Sequence, residues 1–168
     1  MATDGRVDST APASVAYVAY DLHKGTKRAA FAVAKPELKQ AWNGEDGIAL
    51  VEECAILLAL QEDGLSWEGR DLLWFVDNSV VLSTMCKGSS HSPSIDEAAA
   101  TLHLLLARLR IRAWWEYVES KANWSDTLSR DLKDDWLLAQ GFIIHEARLG
   151  PWPWAVESDD RWARASAL

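Results

Sequence analysis

Cysteine is scarce. Cys54 and Cys86 are the only two in 168 residues, each inside an apolar run. Neither belongs to a Cys-x-x-Cys or Cys/His spacing, which excludes a thiolate zinc site and a disulfide framework and leaves two reduced core thiols of an intracellular protein. Positive charge is also in deficit: 17 Lys and Arg stand against 25 Asp and Glu, a formal net charge of -8. A freestanding basic nucleic-acid binder is thereby excluded, and any polyanion must be gripped locally. No segment offers the roughly twenty uninterrupted apolar residues of a membrane span. The start, MATDGRVDSTAPAS, has no apolar signal core, so the expectation is a soluble protein, cytoplasmic or nuclear and not secreted. Internal repeats are missing too. What the chain does have is one domain's length, a globular balance of apolar and charged residues, and ten tryptophans, rings that serve as core or as contact surface.

Periodicity orders the chain. Residues 1–13 read as a disordered lead-in. "SVAYVAYDLHK" and "RAAFAVAKP" alternate as strands of a hairpin turning at Gly25 and Thr26, and "ELKQAW" reads as a third strand. After a break at Asn43 to Gly47, "IALVEECAILLALQ" has the length and the Ala and Leu content of a buried helix. "RDLLWFVD" has the form of a central parallel strand covered on both faces. "SVVLSTMCK" reads as a helix capped by Asp77 or Asn78 and stopped by Gly88, and "SIDEAAATLHLLLARLR" as a helix with a Ser cap. "IRAWWEYVES" is a strand and "NWSDTLSRDLKDDWLLAQG" a helix ending at Gly141. The expected architecture is α/β: a mixed five-stranded sheet, three antiparallel strands and then two parallel ones, flanked by helices over residues 14–142. Residues 143–168 form an extension in which Pro151 and Pro153 stiffen a tryptophan-bearing tail.

Four carboxylates stand beside apolar runs, where a charge needs a reason. Asp21 follows "VAYVAY", Glu52 or Glu53 interrupts the buried helix, Asp77 ends "LLWFV", and Asp126 opens the last helix. Each has a plainer reading: Asp77 as a helix cap, Asp126 as a first-turn acid, Asp21 as a turn residue. Brought together they repel unless divalent cations neutralise them, and an all-oxygen set favours Mg²⁺ or Mn²⁺. A pair of such ions held by shared carboxylates is the usual device for phosphodiester hydrolysis.

The words around these acids resemble the ribonuclease H domain of retroelement reverse transcriptases. "VEECAILLAL" resembles that family's helix pattern and selects Glu52 over Glu53. "FVDNSVVLSTMCKG" resembles its strand and helix with Asp77 at the strand's end. "WWEYVESKANWSDTLSR" resembles its closing segment, Asn, two residues, Asp and a Ser-Arg pair, and fixes Asp126. The resemblance implies a ribonuclease H-like fold in which Asp21, Glu52, Asp77 and Asp126 bind two Mg²⁺ ions, with Mn²⁺ as substitute, and cut the RNA strand of an RNA/DNA hybrid. It also implies a polymerase domain as a partner. In that family a small residue follows the first aspartate, whereas Leu22 and His23 follow Asp21. Lys24, Asn78 and Asn123 are the candidate substrate contacts. A catalytically inactive interaction module of the same lineage is the alternative, and a DNA-cutting nuclease on the same fold a third.

Overall fold

The computed structural model of the chain describes residues 1–7, 11–42 and 46–149. Its elements in order are β1 (Ala2–Arg6), β2 (Ser14–Asp21), β3 (Thr26–Val33), α1 (Pro36–Ala41), α2 (Gly47–Asp63), β4 (Asp71–Val76), α3 (Ser79–Lys87), α4 (Pro93–Arg108), β5 (Arg112–Tyr117), α5 (Asp126–Asp131), α6 (Asp135–Ala139) and β6 (Ile143–Glu146). The strands form one mixed sheet in the order β5-β4-β1-β2-β3-β6. β2 runs antiparallel to both its neighbours, β1 and β3, while β4 runs parallel to β1, β5 to β4, and β6 to β3.

The α/β architecture agrees with the expectation, and the sheet gains a strand. Residues 2–6 are no lead-in: they are β1, in the centre of the sheet. Asp and Gly are poor strand formers, so intrinsic preference argues against this segment; pairing on both edges and cover from α2 override it. Thr3 is fully buried and accepts the indole N–H of Trp74 at 3.2 Å. The segment "ELKQAW" is helix α1 rather than a third strand, with Pro36 at its first position, where the missing N–H costs nothing. The long last helix is two short ones, broken at Leu132, which adopts φ 56°, and restarted where the Asp134 carboxylate accepts the Leu137 N–H at 2.9 Å. A boundary at 142 fails as well, because β6 pairs with β3. The segment with Pro151 and Pro153 lies outside the described residues.

The two faces of the sheet are covered unequally. On one, Val15, Tyr17, Ala30, Trp74 and Val76 pack against α2, α3 and α4 in the main core. On the other, Ala16, Val18 and Ala29 meet Leu128 of α5, Leu137 of α6 and Phe142 in a smaller one. The tryptophans divide accordingly. Trp67 and Trp74 are buried, with Trp74 stacked on Trp115 at 5.0 Å and edge-on to Trp67 at 6.4 Å, whereas Trp114, Trp124 and Trp136 are exposed.

Candidate active site

Register places the acids. Ala2 is level with Phe75 in the parallel pair β1–β4, so two residues further along each strand Asp4 and Asp77 stand level as neighbours. Glu52 arrives from α2. This helix lies so close to β1 that a Cβ on Gly5 would sit 2.5 Å from Val51 Cγ1 and 2.7 Å from the Val51 carbonyl carbon. The absent side chain at Gly5 is therefore what lets Glu52 reach the strand end. Ligand oxygens of Asp4, Glu52 and Asp77 fall within 4.8 Å of one another.

Asp126, the first residue of α5, joins electrostatically. Its charge raises the pKa of both Asp4 and Glu52, and its own Oδ1 accepts Arg130 Nε at 2.8 Å. The loop before it is pinned by buried Asn123, whose amide donates to the Thr3 carbonyl at 3.0 Å and accepts from the Ser125 hydroxyl at 2.7 Å. The spacing Asn, two residues, Asp thus has a mechanical basis: the asparagine fastens the turn to β1 beside Asp4, and the aspartate starts the helix.

The cluster is poorly compensated. Glu52 Oε2 and Asp77 Oδ1 are buried and have no hydrogen-bond partner. Burial, then the neighbouring Asp77 and Asp126 charges, push Asp4 up to about 7 against the pull of the Ser129 hydroxyl. Burial first, and then Asp4 and Asp77, hold Glu52 well above the usual carboxylate range, although the Gly5 N–H favours its charged form. Asp77 is not the cap of α3, because Asn78 is: its side chain accepts the N–H groups of Val80 at 2.9 Å and Val81 at 3.3 Å. An orphaned oxygen among like charges costs stability unless something positive is meant to sit there. The donor set of hard oxygens, with no thiolate or imidazole, fits a Mg²⁺- or Mn²⁺-like cation.

Asp21 does not belong to this cluster. It lies five residues along β2 from Ala16, the partner of Asp4, about 16 Å at the usual rise per residue. It is a turn residue after all: its Oδ1 accepts the N–H groups of His23 at 2.9 Å and Lys24 at 3.0 Å, and its Oδ2 accepts Arg70. The Lys24 N–H above all, then Arg70 and the His23 N–H, hold its pKa below the ordinary value against the opposing effect of burial. Asp4 takes the place expected of Asp21, and the signal for it is in the sequence: Asp4 is followed by a small residue, Gly5, as Asp21 is not. Glu53 is buried on another side of α2, where burial and then Asp96 raise it to about 9. Of the candidate substrate contacts, Asn78 and Asn123 spend their side chains on the cap and the loop anchor, and Lys24 is exposed in the β2–β3 turn.

No family model and no curated protein matches the sequence. Among solved structures, LC11-RNase H1, isolated from compost by a metagenomic approach, superposes with a TM-score of 0.53 at 15% identity, over 83% of this chain and 94% of that one. The chain has a ribonuclease H-like fold. Within that fold, the acid cluster sits where β4 ends beside the middle of β1, its neighbour in the centre of the sheet. No helix among the described residues is long and apolar enough to cross a membrane.

Proposed function

We propose that this chain is a metal-dependent endonuclease that hydrolyses the RNA strand of RNA/DNA hybrids, with Asp4, Glu52, Asp77 and Asp126 as its cation ligands. The observation that carries the reading is the convergence of three carboxylates from β1, α2 and the end of β4 within 4.8 Å, with buried oxygens left unpartnered, on a ribonuclease H-like fold. Structural ion-pair networks also perturb acids, but they satisfy them. Asp21 with Arg70 is such a case; the cluster around Asp77 is not.

Bound there, a pair of divalent cations supplies Lewis acidity and charge neutralisation for in-line phosphodiester hydrolysis. The protein supplies position. Asp4 lies on β1 and Asp77 directly follows β4, its parallel neighbour, so their separation is set by the sheet. Glu52 is held by a helix packed without a gap against Gly5, and Asp126 by a loop that Asn123 ties to the same strand. Arg130 holds Asp126 from the solvent side and lowers the repulsion felt by Asp4. The motif words around Glu52, Asp77 and Asp126 support descent from a retroelement reverse transcriptase, with a polymerase domain as partner and an intracellular site of action. With a net charge of -8, hybrid binding by this domain alone is weak and falls steeply with salt.

Purified protein incubated with labelled RNA/DNA, RNA/RNA and DNA/DNA duplexes tests the proposal. Cleavage is expected only of the RNA in the hybrid, with Mg²⁺ or Mn²⁺, and is lost in chelator and in Asp77→Asn. Absence of cleavage with both cations at low salt overturns it.

A further inference from the structure

Ser129 lies in α5, three residues after Asp126, and is completely buried. Its hydroxyl is in hydrogen-bonding contact with Asp4 Oδ2 and lies 2.9 Å from the main-chain carbonyl oxygen of Asp126. The rest of the residue is clamped. The Ser129 N–H donates to the Ser125 carbonyl at 2.9 Å, and the Ser129 carbonyl accepts the hydroxyl of buried Ser14 on β2. A hydroxyl in this position has one proton and two acceptors, and a charged carboxylate is the stronger acceptor.

We propose that Ser129 is a positioning residue for the cation site. Its hydroxyl holds one oxygen of Asp4, fixes the plane of that carboxylate, and couples it to the turn that carries Asp126. The inference rests on the cation-site reading above and adds a residue to it that ligates nothing. Hydrogen-bond partners of this kind orient a metal ligand, and losing one weakens binding about 10- to 100-fold.

The test is a titration of Mg²⁺ and of Mn²⁺ into the full chain, followed by calorimetry, with melting temperatures recorded in chelator. Wild type, Ser129→Ala, Ser129→Thr and Asp77→Asn are compared. Ser129→Ala is expected to bind cation about 10- to 100-fold more weakly, alongside a fall in melting temperature in chelator from the lost buried hydrogen bond. Ser129→Thr, which keeps the hydroxyl, is expected to restore most of the affinity. A merely structural serine would lower the melting temperature and leave the cation affinity alone, and that result overturns the proposal. If wild type itself binds no cation, the failure lies in the cation-site reading, which Asp77→Asn reports independently. Should Ser129→Ala not fold, Ser129→Cys, of similar volume and with a poor donor, carries the same expectation.

Discussion

Asp21 closes β2 at one end of the sheet, and Asp77 follows β4 at the other. The first receives two backbone N–H groups and a guanidinium; the second keeps a buried oxygen with no partner and faces two more carboxylates. From the sequence the two look alike, each a charge directly after an apolar strand. The difference between them is one of completeness. A satisfied acid stabilises the fold and has little capacity left, whereas an unsatisfied one costs stability and keeps its lone pairs for a ligand.

Removing the charge at each end should separate the two acids most sharply. Asp4→Asn removes a ligand worth several kcal/mol of charge stabilisation, so hybrid cleavage should fall on the order of 10³-fold. Asp21→Asn, by contrast, should leave cleavage within about twofold, since separated sites act independently. Steady-state rates of the two variants, measured side by side, decide this; equal losses would return Asp21 to the site. A second probe asks whether proximity of α2 to β1 builds the cluster. Gly5→Ala puts a methyl group against the Val51 backbone, which cannot swing away as a side-chain tip would. Overpacking of this kind should cost about 3 kcal/mol, visible in chemical denaturation, and should weaken cation binding because Glu52 is pushed outward.

The third effect, the smallest when taken per pH unit, is a pH dependence of opposite sign at the two ends. Without cation, folded Asp4 titrates at about 7, whereas the unfolded chain releases that proton near pH 4. Between these values the folded state binds more protons, so stability in chelator should decline as pH rises from about 4 to 7, by at most about 1.4 kcal/mol per pH unit for one proton. Glu52, also raised by burial, contributes a decline of the same sign. Asp21, with its lowered pKa, contributes stability above the unfolded value that is lost only on acidification below it. Melting curves across pH with and without Mg²⁺ check both, and a flat profile in chelator contradicts the buried cluster.

Much of the fold was legible because long periodic segments declare themselves: α2, α4, β4 and β5 fall where apolar spacing puts them. Asp77, Asp126 and one of Glu52 and Glu53 were legible as acids in places where acids need a reason; the resemblance of the helix words selects Glu52, and the structure brings Glu52, Asp77 and Asp126 to one corner. β1 was not, because a five-residue strand of Ala, Thr, Asp, Gly and Arg has no period and no propensity; its burial is conferred by neighbours distant in sequence. Asp4 vanished with it. The next aspartate after an apolar strand is Asp21, although Leu22 and His23 behind it are the wrong neighbours. Ser129 was hidden for a different reason: a serine inside a helix says nothing until its hydroxyl is seen against a carboxylate from the other end of the chain.

The central place of β1 also bears on how the molecule assembles. Its N-terminal amine donates to the Leu73 carbonyl 72 residues away, and the Phe75 N–H donates to the Met1 carbonyl. During synthesis the hairpin of β1 and β2 can close early, but its other edge stays open until residues 71–76 have emerged. Native closure of the sheet is therefore a long-range event, slow by the measure of contact order, and the cluster of Asp4, Glu52 and Asp77 cannot exist before it. An amino-terminal deletion of even a few residues would not shorten a loose end; it would leave two half-sheets with nothing between them.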